Sequence, residues 1–136
     1  MEFYGWSDAY SSGNITIDNQ HKKFFDIINY ALSLNKENPD IDKMKLAIEE
    51  LTDYTNVHLD DEIKFYNENK LPQKLIDTHV QLHENLKAEL KKLTLMDWAS
   101  YLIFYKSLVF LLTHWLIHHI INEDIELIKR IKYKEY

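Results

Sequence analysis

Two glycines and two prolines are all that this chain carries in 136 residues. A chain so poor in turn formers changes direction rarely. It therefore favours a few long elements joined by short links, and helices over strands. The apolar pattern agrees. Met44, Ile48, Leu51, Thr55, His58, Glu62 and Phe65 follow in alternating steps of four and three, which is one helical face. Leu75, Leu82, Leu86 and Leu90 mark a second such face, and Ile17, His21, Phe24, Phe25, Ile28, Ala31 and Leu32 a third.

Local punctuation then predicts the bounds. Asp18 serves as the N-cap of a helix reaching about residue 36, in the polar stretch Asn35-Lys36-Glu37-Asn38 before Pro39. A second helix covers about 40–68 and stops at Leu71-Pro72. Proline is tolerated in a first helical turn, so a third helix spans about 72–93. Asp97 is the candidate cap of a fourth, about 97–131. Residues 1–17 form an irregular N-terminal arm, with Trp6 and Tyr10 across the end of the bundle. The sum is an all-α, up-down-up-down four-helix bundle in one domain over residues 1–136. With 46% of residues apolar, that length can bury a real core.

Composition excludes several classes of function. The absence of cysteine rules out disulfides, thiolate zinc sites, iron–sulfur clusters and thiol catalysis. A formal net charge of -6 argues against nucleic acid as a partner. The stretch from Tyr101 to Ile121 is strongly apolar, but Lys106, His114, His118 and His119 interrupt it. It lacks the run of about 18 clean apolar residues that a membrane span needs, and reads as the most buried helix of the bundle. The N-terminus shows no basic-then-apolar leader pattern. The expectation is a cytoplasmic monomer.

The chemistry lies in the polar residues that fall on inward faces. These are His21 on the first helix, His58 and Glu62 on the second, His79 and His83 on the third, and His119 on the fourth, with Glu123 and Asp124 a turn later. Burying even one unpaired ionisable group is costly. Any one of these histidines could be a hydrogen-bonded core residue. Contributions from all four helices point instead to one shared metal centre. Five imidazoles and two carboxylates exceed what one ion takes, and carboxylates bridge, so two ions fit. Nitrogen and oxygen ligands without thiolate suit iron, and also admit zinc, manganese or cobalt. No Glu-x-x-His pair occurs, so the site is not of the ferritin-like kind. On the fourth helix, spacing favours Glu123, four residues after His119. Asp124 lies five away and about 140° around a regular helix. His114 and His118 turn away from the site, and Glu49, Glu50, Asp53, Asp60 and Asp61 form a solvated face.

Taken in order, the motifs resemble the hemerythrin family, of the single-domain bacterial kind. The run Trp6-(x3)-Tyr10-(x2)-Gly13-(x3)-Ile17-Asp18-x-Gln20-His21-Lys22 is similar to the family's opening signature. It is followed by His58-(x3)-Glu62, by His79-(x3)-His83, and by Trp115-Leu116-x-x-His119-Ile120-(x3)-Asp124. The resemblance implies that His79, His83 and His119 hold a six-coordinate iron. His21 and His58 hold a second iron with an open position. Glu62 and Asp124, rather than Glu123, bridge the two together with a solvent-derived oxygen. It also implies reversible O2 binding, as a carrier, store or local buffer and not primarily an enzyme. O2 or redox sensing, and consumption of O2 or peroxide by an oxidase, are the alternatives. An apolar pocket beside the open iron would be lined by Leu59, Trp115 and Leu116. The chain departs from the family pattern at Asn14, where an apolar residue is usual, and at Leu59, where phenylalanine is usual. Ile63 replaces a second glutamate, and Pro72 stands further from His79 than the pattern has it.

Overall fold

The computed structural model describes residues 5–34, 40–96 and 101–133, and for Tyr101, Trp115 and Leu116 the backbone alone. Helix α1 is Ile15–Ser33, and it begins earlier than Asp18 because Asn14 is its cap. Asn14 Oδ1 accepts from the Thr16 and Ile17 backbone N–H groups at 2.9 and 3.2 Å. This satisfies two of the donors that a helix start leaves open. Gly13, at φ +80°, makes the left-handed turn into that cap. Asp18 instead ties down the arm. It accepts from Ser11 Oγ at 2.9 Å, Ser12 N at 2.8 Å and Ser12 Oγ at 2.7 Å. The arm's short 3-10 turn, Asp8–Tyr10, lies along the flank of α1 rather than across the end of the bundle. Tyr10 packs on Phe25 at 6.2 Å, and Lys22 Nζ sits 4.9 Å over the Trp6 ring.

Helix α2 is Ile41–Glu68, capped by Asp40, whose Oδ1 accepts from Lys43 N at 3.2 Å. It ends where Lys70 adopts a left-handed φ of 55°. There the Leu71 N–H reaches back to Tyr66 O at 3.1 Å and Lys70 N to Asn67 O at 3.0 Å, closing the last carbonyls. Helix α3 is Gln73–Thr94, with Pro72 at its entrance. Helix α4, residues 101–133, is continuous but not uniform. Two wide turns with π-type bonding, Leu111–Leu116 and His119–Asp124, interrupt its regular stretches Tyr101–Phe110 and Ile125–Tyr133. The expected end of α1 in residues 35–38 and the Asp97 cap lie outside the described residues.

All seven residues of the face predicted for α2 are buried. On α3 the inward row is Ile76, His79, His83, Leu86, Leu90 and Leu93, whereas Leu75 and Leu82 stand beside it and are half-buried. Helix α4 is not the most buried one, since Leu102, Ile103 and Phe110 are exposed. No helix among the described residues is long and apolar enough to cross a membrane.

The core falls into two apolar clusters. One joins Ile17 near the start of α1, Phe65 and Tyr66 near the end of α2, Ile76 near the start of α3 and Ile128 near the end of α4. The other joins Ala31, Met44, Leu93 and Phe104, at the opposite ends of the same helices. That alternation is the up-down-up-down course. Each fully buried aliphatic or aromatic side chain in these clusters contributes about 1.5–3 kcal/mol. Between the clusters, at one level in all four helices, lies a buried layer of imidazoles and carboxylates to which no such gain applies.

Candidate metal centre

His21, His58, Glu62, His79, His83, His119 and Asp124 are each at most 3% exposed. Helical spacing explains most of this. His58 and Glu62 are four apart on α2, as are His79 and His83 on α3, so each pair shares a face. Asp124 is five residues after His119, which a regular helix would turn away. The wide turn His119–Asp124 removes that offset, and His119 Nε2 lies 3.0 Å from Asp124 Oδ1. Such turns are frequent at functional sites. Glu123, favoured by spacing, faces outward toward His118, 3.8 Å away.

The atoms sort themselves into two groups. Glu62 Oε1 faces His79 Nε2 at 2.5 Å and His83 Nε2 at 3.6 Å, while Asp124 Oδ1 faces His79 at 2.6 Å and His119 at 3.0 Å. The other two oxygens face the other way. Glu62 Oε2 lies 2.5 Å from His58 Nε2 and 4.0 Å from His21 Nε2; Asp124 Oδ2 lies 3.2 Å from His21 and 3.5 Å from His58. All five imidazoles present Nε2. Two sets of ligand-type atoms, each within 4.8 Å of one another, result: His79, His83, His119 and Asp124, and His21, His58, Glu62 and Asp124.

The donor set fits a pair of metal ions. Nε2 of His83, Nε2 of His119 and Glu62 Oε2 are buried and, for all their close imidazole and carboxylate neighbours, make no hydrogen bond of ordinary geometry. Buried polar atoms are normally paired, and unpaired ones call for an unseen partner. The electrostatics agree. Burial pushes the His58 and His79 imidazoles down, but the carboxylates beside them prevail and hold the two at about 9 and about 10. Burial and mutual repulsion push Glu62 up, and burial does the same to Asp124. The surrounding imidazoles overcome this and hold both well below the ordinary carboxylate range. Without a metal, protons on the histidines balance the two charges. His83 moves down, chiefly through burial.

Three residues that the sequence reading did not place in the site surround it. The His58 ring donates from Nδ1 to Gln20 Oε1 at 2.8 Å, and Gln20 Nε2 donates to Asp61 Oδ2 at 2.6 Å. This holds the His58 tautomer with its Nε2 lone pair inward, the usual arrangement behind a metal-binding histidine. Asp61 is thus half-buried against α1 rather than part of a solvated face. Tyr66, fully buried, donates its hydroxyl to Glu62 Oε1 and stands 3.4 Å from His79 Nε2. Burial and the two carboxylates push its own ionisation well up, so it stays a donor. Its position, four after Glu62, continues the inward row and was available as a signal. Leu59 is buried beside His58. The side chains of Trp115 and Leu116, named for the same pocket, lie outside the described residues.

Comparison with known proteins leads to the same place. The family model for the "Hemerythrin HHE cation binding domain" matches residues 12–131. The chain belongs to the hemerythrin family. Among its relatives are proteins named bacteriohemerythrin. One, from Clostridium acetobutylicum, is 28% identical over 128 residues, covering 90% of this chain and 97% of its own. Another, from Campylobacter jejuni, is 24% identical over 119 residues, or 88% of each chain. No solved structure matches significantly. This hemerythrin keeps its five motif histidines, Glu62 and Asp124 inside one buried layer.

Proposed function

We propose that this hemerythrin binds O2 reversibly at a pair of iron ions. His79, His83 and His119 would hold one ion and His21 and His58 the other, with Glu62 and Asp124 bridging. The observation that carries this reading is the division of the two carboxylates. Each turns one oxygen to the three-histidine group and the other to the two-histidine group. The iron pair, when bound, supplies the electrons that O2 takes up on binding and returns on release.

The chain's own residues set the conditions. The unequal count, three imidazoles against two, leaves the His21–His58 side with room for an exogenous ligand. Gln20 fixes the His58 ring, so that side keeps its shape. The Tyr66 hydroxyl holds Glu62 Oε1 and remains protonated throughout. The apolar clusters on either side, with Leu59 beside His58, shield the His21–His58 side of the layer from water. Dryness favours release of intact O2 over its consumption.

The test begins with the purified protein and a metal count. The protein is reduced without air, exposed to O2, and then purged with inert gas. Two irons per chain, with an O2-dependent visible band that fades on purging and returns with O2, is the expected result. A band that decays to the oxidised form and never returns would make it an O2-consuming oxidase instead.

A further inference from the structure

The wide turn that brings Asp124 beside His119 has a second effect one residue outward. It sets His118 and Glu123 facing each other on the surface, Nε2 to Oε1 at 3.8 Å, with side chains 60% and 38% exposed. The Asn122 amide holds His118 Nδ1 at 2.8 Å. The amide Nδ2–H donates to the Nδ1 lone pair, which fixes the ring with Nε2 toward Glu123. The exposed pair is thus an outer counterpart of the buried His119–Asp124 pair.

A cavity connects the outer pair with His119. A surface cavity of about 250 Å³ is lined by Leu82, His114, His118, Glu123 and, at its floor, the buried His119. Six waters at ~30 Å³ each occupy roughly 180 Å³, so a hydrated divalent ion fits. Its lining contains no lysine or arginine. A neighbouring cavity of about 260 Å³ reaches the His79 ligand, and its wall carries Arg130 together with Glu123 and Glu126, so the guanidinium already has carboxylates to pair with. A cavity of about 620 Å³ between α3 and α4 includes no residue of the buried layer.

We propose that His118 and Glu123, with His114 beside them, form a loading port for a divalent transition-metal ion on its way to His119. A buried site cannot take an ion with its water shell intact. Side chains of the same type as the final ligands, one layer further out, let waters be exchanged stepwise before the ion passes Leu82. Metals therefore arrive on the three-histidine side, away from the His21–His58 side proposed for O2. This rests on the metal-centre reading above but concerns rates rather than equilibrium.

The test uses metal-free full-length protein mixed with Co²⁺, followed by the visible absorption of the bound ion. Uptake is compared with release of the loaded ion to a chelator. In the double variant H118A/E123Q, uptake and release both slow by roughly tenfold, at the low end of what charged groups contribute to association rates. Two ions per chain and the equilibrium affinity stay unchanged, because the port is vacated once loading ends. Glu50→Gln, the same change of charge on α2 away from the cavity, leaves both rates as they were. Leu82→Ala, widening the passage, speeds both. Unchanged rates in the double variant overturn the port. So does a loss of stoichiometry or affinity, which would make these residues ligands. A wild-type protein that takes up fewer than two ions overturns the metal centre itself, a result that cannot be confused with the other two.

Discussion

Replacing Gln20 by leucine should separate the two proposed metal sites energetically. Gln20 is 6% exposed and His58 2%, so water cannot take over the 2.8 Å bond from His58 Nδ1 to Gln20 Oε1. Leucine is similar in volume and offers no acceptor. An unpaired buried N–H costs about 1–3 kcal/mol. At 1.4 kcal/mol per factor of ten, that corresponds to roughly 5- to 150-fold in affinity, the range seen when partners behind metal-binding histidines are removed. The loss falls on one site only, because Gln20 bonds His58 and none of His79, His83 or His119. Titration of the metal-free protein with Co²⁺ against a competing chelator resolves two binding steps. In Gln20→Leu one step weakens by this factor and the other stays within about threefold. Glutamate at position 20 would be a stronger acceptor, but it would face Asp61 at 2.6 Å, so Gln20→Glu restores affinity only together with Asp61→Asn. Equal weakening of both steps, or none, would falsify the assignment of Gln20 to the His58 side.

Five further outcomes are expected. Lys70 sits in the left-handed region, where a side chain costs about 1–2 kcal/mol. Lys70→Gly, after glycine's own entropic cost, should therefore raise stability in urea by about 0.5–1 kcal/mol, and a fall would mean that Lys70 makes compensating contacts. Folding raises His58 to about 9 and His79 to about 10, so in the metal-free protein their stabilisation is full below pH 6.5 and lost as pH rises through 9–10. For the same reason, loading metal at pH 7 should release at least two protons per chain, measurable in weak buffer with an indicator dye. Tyr66→Phe keeps the ring against His79 but removes a donor to an ionised carboxylate, and should lower the stability of the metal-free protein by about 1.5–3 kcal/mol in thermal unfolding. Deleting the exposed Asn122 makes His119 and Asp124 an i, i+4 pair in a regular helix, so two metals should still bind. Deleting the exposed Val57, in the regular α2, turns His58 by about 100° and should abolish binding.

The architecture was legible because its signals are periodic and repeated. Three faces with steps of three and four, broken by Pro39 and Pro72, and a fourth long apolar stretch leave little besides a four-helix bundle. The bounds were less so, because two acceptors compete at the start of α1. Asn14 and Asp18 both suit a cap, and the contest is settled by Ser11 and Ser12, which draw the Asp18 carboxylate back to the arm. On α3 the leucines suggested a face through Leu75 and Leu82, but Ile76 shares the row of the two histidines, and a row of mixed chemistry is harder to see than a row of leucines. Gln20 and Asp61 gave no inward signal of their own. Their roles come from a contact between α1 and α2, across 41 residues of sequence, and no local rule carries that.

Asp124 shows most clearly where periodicity stops. A fixed step of 100° per residue makes Glu123 the partner of His119, and the same step on α2 correctly pairs His58 with Glu62. The rule failed on α4 because the step itself changes there. Hydrogen bonds that span five residues instead of four widen the turn, and the carboxylate five residues on comes back to the face of the histidine. The sequence did hold a trace of this. Spacing pointed to Glu123 and the family motif to Asp124, and both cannot be right on a regular helix. The disagreement between two sound readings of one segment was itself the sign of a wide turn. That turn also leaves His118 opposite Glu123 at the surface, so the irregularity that completes the buried layer builds its counterpart outside.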